Sequence, residues 1–279
     1  MAEPYALIAA AAETKRNFNE SAHAYVDAHE RSAVAIALNR SKDTATNISS
    51  FRSYADAALS LAKTALASSD ASAATDVVRR LVDHSRSLLH FLVSLGVDEG
   101  GGGLVRATLG LLGDARSTLG ALKRATASAY WRRAEQIKTQ LRLLSKNETE
   151  VVEENPNYAE AAKKANELYE EAHNMLRRCI DAEVVLLSKK PSTGQADSNS
   201  DAKDASERPV RLEPTNSTKG QCLDQRAKIY FELGDHRRAV HFWRAAVTEM
   251  PEDAYAFANL GVALREVMRE SHNYTNART

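Results

Sequence analysis

Apolar side chains recur at intervals of three, four or seven residues through most of this 279-residue chain, and that spacing predicts helix. In one stretch, Ala74, Val77, Leu81, Leu88 and Leu92 fall on a single helical face. Only 6 prolines and 12 glycines interrupt the chain, which favours long helices. We find no comparable alternation of apolar and polar residues. We therefore expect an all-α protein without a sheet.

Changes in composition divide the chain into four parts. Residues 1–99 are rich in alanine and predict a helical bundle. Residues 100–187 predict long helices, the last of them ending at Leu187. Residues 188–219 are small and polar, with almost no apolar side chain, and predict a disordered insertion. The helical pattern then returns in residues 220–279.

Charge and cysteine content restrict the function classes. The 37 basic residues balance the 37 acidic residues, which argues against a chain that acts mainly through its net charge. Two cysteines, Cys179 and Cys222, are too few for a disulfide framework or a four-cysteine zinc site. Cys179 lies inside a predicted helix and is interpreted as a structural thiol. Without a secretory signal or a long apolar run, we expect no membrane span and a cytoplasmic protein, or a nuclear one.

A local concentration of basic residues leaves two interpretations open. Residues 103–146 hold nine basic side chains against Asp114 and Glu135, whereas residues 147–171 hold eight glutamates. One interpretation is a face that binds RNA or an acidic peptide. The other is that neighbouring helices neutralise each other, and it is favoured because no aromatic residues alternate with the basic ones. The nine residues are Arg106, Arg116, Lys123, Arg124, Arg132, Arg133, Lys138, Arg142 and Lys146.

Sequence motifs of catalysis are missing from the chain. It has no phosphate-binding glycine loop, no nucleophile elbow and no helical zinc-protease motif. Its eight histidines are scattered, so they do not suggest a metal site. Adjacent glutamates such as Glu153 and Glu154 do not face each other on a helix. We expect no catalytic residues, no metal, no cofactor and no enzymatic activity.

The segment 222–251 carries the most specific pattern. Its first half places a large, a small and an aromatic residue on one helical face. In its second half a small residue is followed four residues later by an aromatic one, and three residues after that by another small one. A Gly-Asp turn separates the halves, and Pro251 closes the segment. The residues are Leu223, Ala227, Tyr230, Gly234, Asp235, Ala239, Trp243 and Ala246. The pattern starts again in phase at Phe257, Leu260, Gly261 and Leu264.

This pattern resembles the tetratricopeptide repeat, a helix–turn–helix unit of roughly 34 residues. The resemblance covers about residues 220–270. Arg226 departs from it, since a large apolar residue is usual there, and we expect this edge to face solvent or the insertion. Weaker matches to the second-helix pattern start at Ala127 and Ala165. Gly113 and Asp114 predict a break between two helices. Residues 100–187 are thus either degenerate repeats or plain helices.

The resemblance implies an α-solenoid of helical hairpins whose first helices line a groove for a peptide or a partner helix. It implies an adaptor or scaffold that belongs to a complex with other proteins. Two alternatives stay open: an RNA-associated protein using the basic segment, and an obligate structural subunit without a peptide groove. The residues that the resemblance places in the groove are Gln221, Gln225, Lys228, Tyr255, Asn259, Val262 and Arg265.

Overall fold

A computed structural model of the chain describes residues 24–31, 53, 55–60, 71–94, 103–144, 155–187 and 208–276. These residues are mostly helical, as the sequence predicts. Segments 24–31 and 55–60 are short helical pieces. The longer elements are α1 (Ala71–Ser94), α2 (Gly103–Leu144), α3 (Pro156–Ile180), β1 (Glu183–Leu187), β2 (Arg208–Leu212), α4 (Asn216–Glu232), α5 (His236–Glu249) and α6 (Ala254–Asn276).

A first apolar core forms where α1 packs against the N-terminal half of α2. Leucines dominate it because both helices present them at helical spacing. Leu59 of the short segment 55–60 and Val185 of β1 join the same core. The described parts of residues 1–99 are all helical. The buried leucines are Leu81, Leu88, Leu89 and Leu92 from α1, and Leu111, Leu112, Leu119 and Leu122 from α2.

Helix α2 runs without a break for 42 residues, so the predicted break near Gly113 and Asp114 is wrong. Two of its glycines, Gly113 and Gly120, are contact points between helices. A Cβ atom at Gly113 would lie 2.4 Å from Cγ2 of Thr218, and one at Gly120 would lie 2.5 Å from Cδ2 of Leu176. Each glycine therefore lets another helix approach the α2 backbone closely.

Two short strands contradict the expectation of a chain without a sheet. β1 pairs antiparallel with β2, and Val185 lies opposite Val210. The helix expected to end at Leu187 therefore stops at Ile180. The expected end of the insertion at residue 219 is also wrong, since 208–212 is strand and α4 starts at Asn216. Five residues are too few to show an alternating pattern, and the pairing joins distant parts of the sequence. Residues 188–207 lie outside the described residues.

A disulfide bond joins α3 to α4. The sulfur atoms of Cys179 and Cys222 are bonded, 43 residues apart in the sequence, and both residues are buried. The interpretation of Cys179 as a structural thiol is therefore wrong. The number of cysteines in the sequence does not reveal that the last turn of α3 lies against the second turn of α4. The bond lies in an apolar cluster with Tyr169, Leu176 and Ile229.

The last three helices pack in sequence order, as the spacing in 222–268 predicts. Gly234, with φ of 78°, makes the turn between α4 and α5, and Asp235 caps α5 by accepting a hydrogen bond from the Arg238 amide at 3.0 Å. Ala227 and Ala239 are fully buried where α4 meets α5. Small residues at this contact let the two helix backbones approach closely.

Arg226 does not face solvent or the insertion as expected. Its guanidinium lies 4.2 Å from the ring centre of Phe242, and its Nη2 donates to His173 Nε2 at 2.9 Å. The residue is half-buried and joins α4 to α3 and α5. An arginine replaces a large apolar residue here because its planar head stacks on an aromatic ring.

Candidate functional site

A groove runs along the line where α2 faces α4. Two cavities that share Asp114 and Gln221 lie along it, with volumes of about 290 and 550 Å³. The smaller cavity is lined by Asp114, Ser117, Thr118 and Ala121 of α2, by Gln221, Asp224 and Gln225 of α4, and by Met250 and Asp253 of the α5–α6 turn. The larger one continues toward Gly103 and the start of α4, between Arg106, Ala107, Gly110, Thr215, Ser217 and Thr218.

One carboxylate holds the three helices on the C-terminal side of the groove together. Asp224 is buried, and its Oδ1 accepts from the indole Nε1 of Trp243 at 2.8 Å and from Asn259 Nδ2 at 3.4 Å. Its Oδ2 accepts from Lys228 Nζ at 2.6 Å. Asp224 therefore ties α4 to α5 and α6, which fixes the groove wall before any ligand arrives.

The three predicted site residues of α4 differ in their exposure and in their bonding partners. Gln221 is exposed and lines both cavities. Gln225 lines the smaller cavity, and its Oε1 also accepts from Arg124 Nε at 3.2 Å. Lys228 is paired with Asp224, so its charge is already balanced within the protein. The structure thus brings Gln221 and Gln225 together as groove walls and places Lys228 at the edge.

The predicted site residues of α6 separate into one anchored and three exposed side chains. Asn259 donates to Asp224 through its amide, which leaves its oxygen as an acceptor. Tyr255 is 84% exposed, and Val262 and Arg265 are also exposed. Tyr255, Asn259 and Val262 are four and three residues apart and share one helical face. Arg265 lies further round the helix.

A cluster of polar contacts at the C-terminal end of α4 joins this helix to α2 and α3. Glu232 is paired with Arg124, and it also accepts from Ser128 Oγ at 2.5 Å and from the Tyr169 hydroxyl at 2.9 Å. Burial raises the pKa of Tyr169 to about 12, so the hydroxyl stays protonated and remains a donor. These bonds join three helices at one point.

Much of the basic segment is used within the protein. Arg116 is buried and pairs with Glu183 at 2.9 Å, and Lys123 pairs with Glu171 of α3. Burial by itself would raise the pKa of Glu183, but Arg116, with hydrogen bonds from His90 and Arg86, holds that pKa below its usual value. Arg124 is occupied by Glu232. These ion pairs agree with the interpretation that the charges of neighbouring elements neutralise each other.

Among the basic side chains of the segment that the structure describes, three stay exposed, Arg106, Arg132 and Arg133, while Arg142 and Lys146 lie outside the described side chains. Among the described residues, no group of histidine, cysteine, aspartate or glutamate has the arrangement to hold a metal ion. In that same part of the chain, no helix is long and apolar enough to cross a membrane.

The groove contains residues that sequence reasoning missed. Asp114, Ser117 and Thr118 come from α2, about 100 residues before α4, and nothing in the sequence shows that these helices face each other. Asp224 lines the smaller cavity, and the sequence does not reveal its role as an acceptor for Trp243. A carboxylate 19 residues before a tryptophan on a neighbouring helix is the only signal that the sequence offers.

Comparison with known proteins adds no family to this description. No family model matches the chain, and a search of curated proteins finds no match.

Proposed function

We propose that this chain is a protein-binding adaptor or scaffold without enzymatic activity. Its tetratricopeptide-like hairpins stack as an α-solenoid, and the groove between α2 and α4 receives an extended peptide or a helix of a partner protein. The observation that carries the proposal is the pair of joined cavities, with Gln221 on the wall they share. A binding module needs such a concave and preformed surface.

The chemistry of the walls suits a polypeptide ligand. Gln221 and Gln225 carry amides that both donate and accept hydrogen bonds, as a peptide backbone does. Ser117 and Thr118 add hydroxyl groups from the opposite wall. Tyr255 stands exposed on α6 and offers an aromatic surface to a side chain of the ligand. Lys228 is already paired with Asp224, so of the two predicted basic residues it is Arg265, exposed on α6, that supplies positive charge for an acidic group of the partner.

The groove wall is rigid before binding, which favours affinity. Asp224 fixes α4 relative to α5 and α6, and Glu232 fixes α4 relative to α2 and α3. A ligand that enters such a site does not have to order it. We infer that binding involves side-chain adjustment rather than rearrangement of the helices.

Affinity capture from cells with matched variants tests the proposal. Gln221→Arg combined with Tyr255→Ala changes an exposed side chain of the groove wall and the exposed tyrosine of α6, and Ser87→Arg makes an exposed change on α1, which lines neither cavity. We expect the groove variant to lose its specific partners and the control to keep them. If both variants recover the same proteins as the wild type, the groove is not the binding site.

The alternatives differ in simple measurements. RNA binding through Arg106, Arg132 and Arg133 weakens steeply as salt increases, whereas amide-mediated peptide binding changes little. An obligate structural subunit melts without cooperativity when it is separated from its complex. The cytoplasmic assignment stays a prediction. A cysteine pair that is bonded, as Cys179 and Cys222 are, is more typical of oxidising compartments, and alkylation of the two thiols in cells tests the assignment.

A further inference from the structure

A second surface, separate from the groove, lies on α6. Phe257, Gly261, Leu264 and Met268 are four, three and four residues apart, so they form one stripe along the helix. Phe257 is 49% exposed and Met268 is 62% exposed. A Cβ atom at Gly261 would meet no atom within 4 Å. We call these four residues the α6 stripe.

The chain itself shows what such a stripe packs against. Leu223, Ala227 and Tyr230 of α4 occupy the same positions 34 residues earlier, and α5 packs on Ala227 and Tyr230. Ala227 is fully buried in a cluster with Ala239 and Trp243 of α5. Gly261 corresponds to Ala227 but is exposed, because no helix among the described residues takes the position that α5 has on α4. The α6 stripe is therefore the contact face for one further antiparallel helix.

Charges around the stripe define the chemistry of that helix. Arg237 and Arg244 are exposed and lie on the same side of α5 as Val240, which packs in the cluster with Ala263 of α6. They therefore border the stripe on one side. Arg265 is exposed and follows Gly261 by four residues, so it borders the other side. An apolar stripe between two basic edges matches a helix with acidic edges.

The acidic residues of α6 do not offset these arginines. Glu266 pairs with Arg269 at 2.8 Å, and Glu270 pairs with His236 at 2.6 Å, where α6 meets α5. Arg237, Arg244 and Arg265 form no ion pair within the described part of the chain. Their positive charge is thus available to a ligand.

We propose that the α6 stripe is a docking surface for an amphipathic helix of a partner protein. That helix runs antiparallel to α6, places a bulky apolar side chain over Gly261 and carries acidic residues on both edges of its apolar face. The stripe runs over twelve residues, from Phe257 to Met268, and its ends lie about 16 Å apart, a length that a helix as long as α5, 14 residues, covers. The groove between α2 and α4 plays no part in this contact.

Two synthetic helices test the proposal with the full chain. Both are peptides of residues 236–250, held helical by a crosslink on the polar face. One keeps Arg237, Arg238 and Arg244, and the other replaces these three arginines with glutamate. In a fluorescence anisotropy titration we expect the acidic peptide to bind at least about tenfold more tightly than the basic one, because only its edges complement the arginines.

Two leucine variants show where the acidic peptide binds. Gly261→Leu fills the open space on the stripe without a clash inside the protein, and we expect it to weaken binding at least about tenfold. Ser87→Leu adds the same side chain at an exposed position of α1, away from both the stripe and the groove, and it should leave binding unchanged. Met268→Asp is a second stripe variant, to be used if Gly261→Leu does not fold.

Three results would overturn the proposal. One is equal affinity of the acidic and basic peptides. Another is unchanged binding in both Gly261→Leu and Met268→Asp. The third is a concentration-dependent dimer of the wild type, seen by sedimentation velocity and lost in Gly261→Leu, because the occupant of the stripe would then be a second copy of this chain.

Discussion

Asp224 accepts a hydrogen bond from the indole nitrogen of Trp243 at 2.8 Å, and both residues are buried between α4 and α5. The same carboxylate holds Asn259 on α6 and Lys228 on α4. One side chain thus sets the relative positions of all three C-terminal helices. The wall of the groove depends on a buried polar contact as much as on apolar packing.

Replacing Asp224 with alanine should destabilise the protein by about 2–3 kcal/mol. The substitution leaves the Trp243 indole and the Asn259 amide without their acceptor in a buried place. Urea denaturation followed by tryptophan fluorescence measures the change. Asp76→Ala removes an exposed ion pair with Arg79 and is the control, with an expected change below about 0.5 kcal/mol. Equal stability of the two variants would show that Asp224 is not a structural acceptor.

The disulfide between Cys179 and Cys222 should contribute about 2–4 kcal/mol, because it closes a long loop in the unfolded chain. Thermal melting with and without a reducing agent measures this contribution. The double variant Cys179→Ser with Cys222→Ser should melt at the temperature of the reduced wild type and ignore the reducing agent. Alkylation of both cysteines in the unreduced, unfolded wild type would show that the bond is absent.

Glycines of α2 should respond oppositely to alanine according to what they face. Gly120→Ala places a methyl group 2.5 Å from the buried Leu176, and we expect a net loss of about 1 kcal/mol. Gly110→Ala meets nothing within 4 Å and gains helix propensity, so it should stabilise the protein by up to about 1 kcal/mol. Thermal unfolding compares the two. Stabilisation by both changes would mean that α2 and α3 are not in close contact at Gly120.

His173 should make stability depend on pH. Burial, followed by the positive charges of Arg226 and Arg177, lowers the pKa of His173 to about 4 from an unfolded value near 6.5. The unfolded chain then binds more protons between these two values, so stability is full above pH 6.5 and falls as the pH drops toward 4. Each unit of difference corresponds to about 1.4 kcal/mol before solvent screening.

Denaturation at several pH values checks this expectation. His173→Gln keeps an acceptor for Arg226 but does not titrate, so the loss of stability between pH 6.5 and 4 should become smaller in this variant. An identical pH profile in the wild type and the variant would contradict the role of His173.

Most of the fold that could be predicted from the sequence was predicted from the spacing of its apolar residues. The helices α4, α5 and α6 and their turns follow from local spacing and from Gly234, whose position requires a turn residue. The strands β1 and β2 were missed because each is five residues long and gains its stability from a partner distant in the sequence. The break at Gly113 was expected because a glycine inside a helix looks like an end, whereas here it faces Thr218.

The candidate site was predictable on one wall only. Gln221 and Gln225 follow from their positions on a helix that resembles the first helix of a repeat. The opposite wall comes from α2, and its residues Ser117 and Thr118 carry no motif. The pairing of Lys228 with Asp224 was also hidden, since residues four apart on a helix are often solvated rather than bonded.

Site-specific photocrosslinking tests the central claim, peptide binding in the groove, most directly. A photoreactive phenylalanine at position 221 or 255 of the full chain lies in the groove or at its edge, and one at position 87 lies on the exposed face of α1, which lines neither cavity. After irradiation in cells, we expect positions 221 and 255 to crosslink to the same protein and position 87 not to. Crosslinks to that protein from position 87 alone, or none from 221 and 255, would contradict the claim.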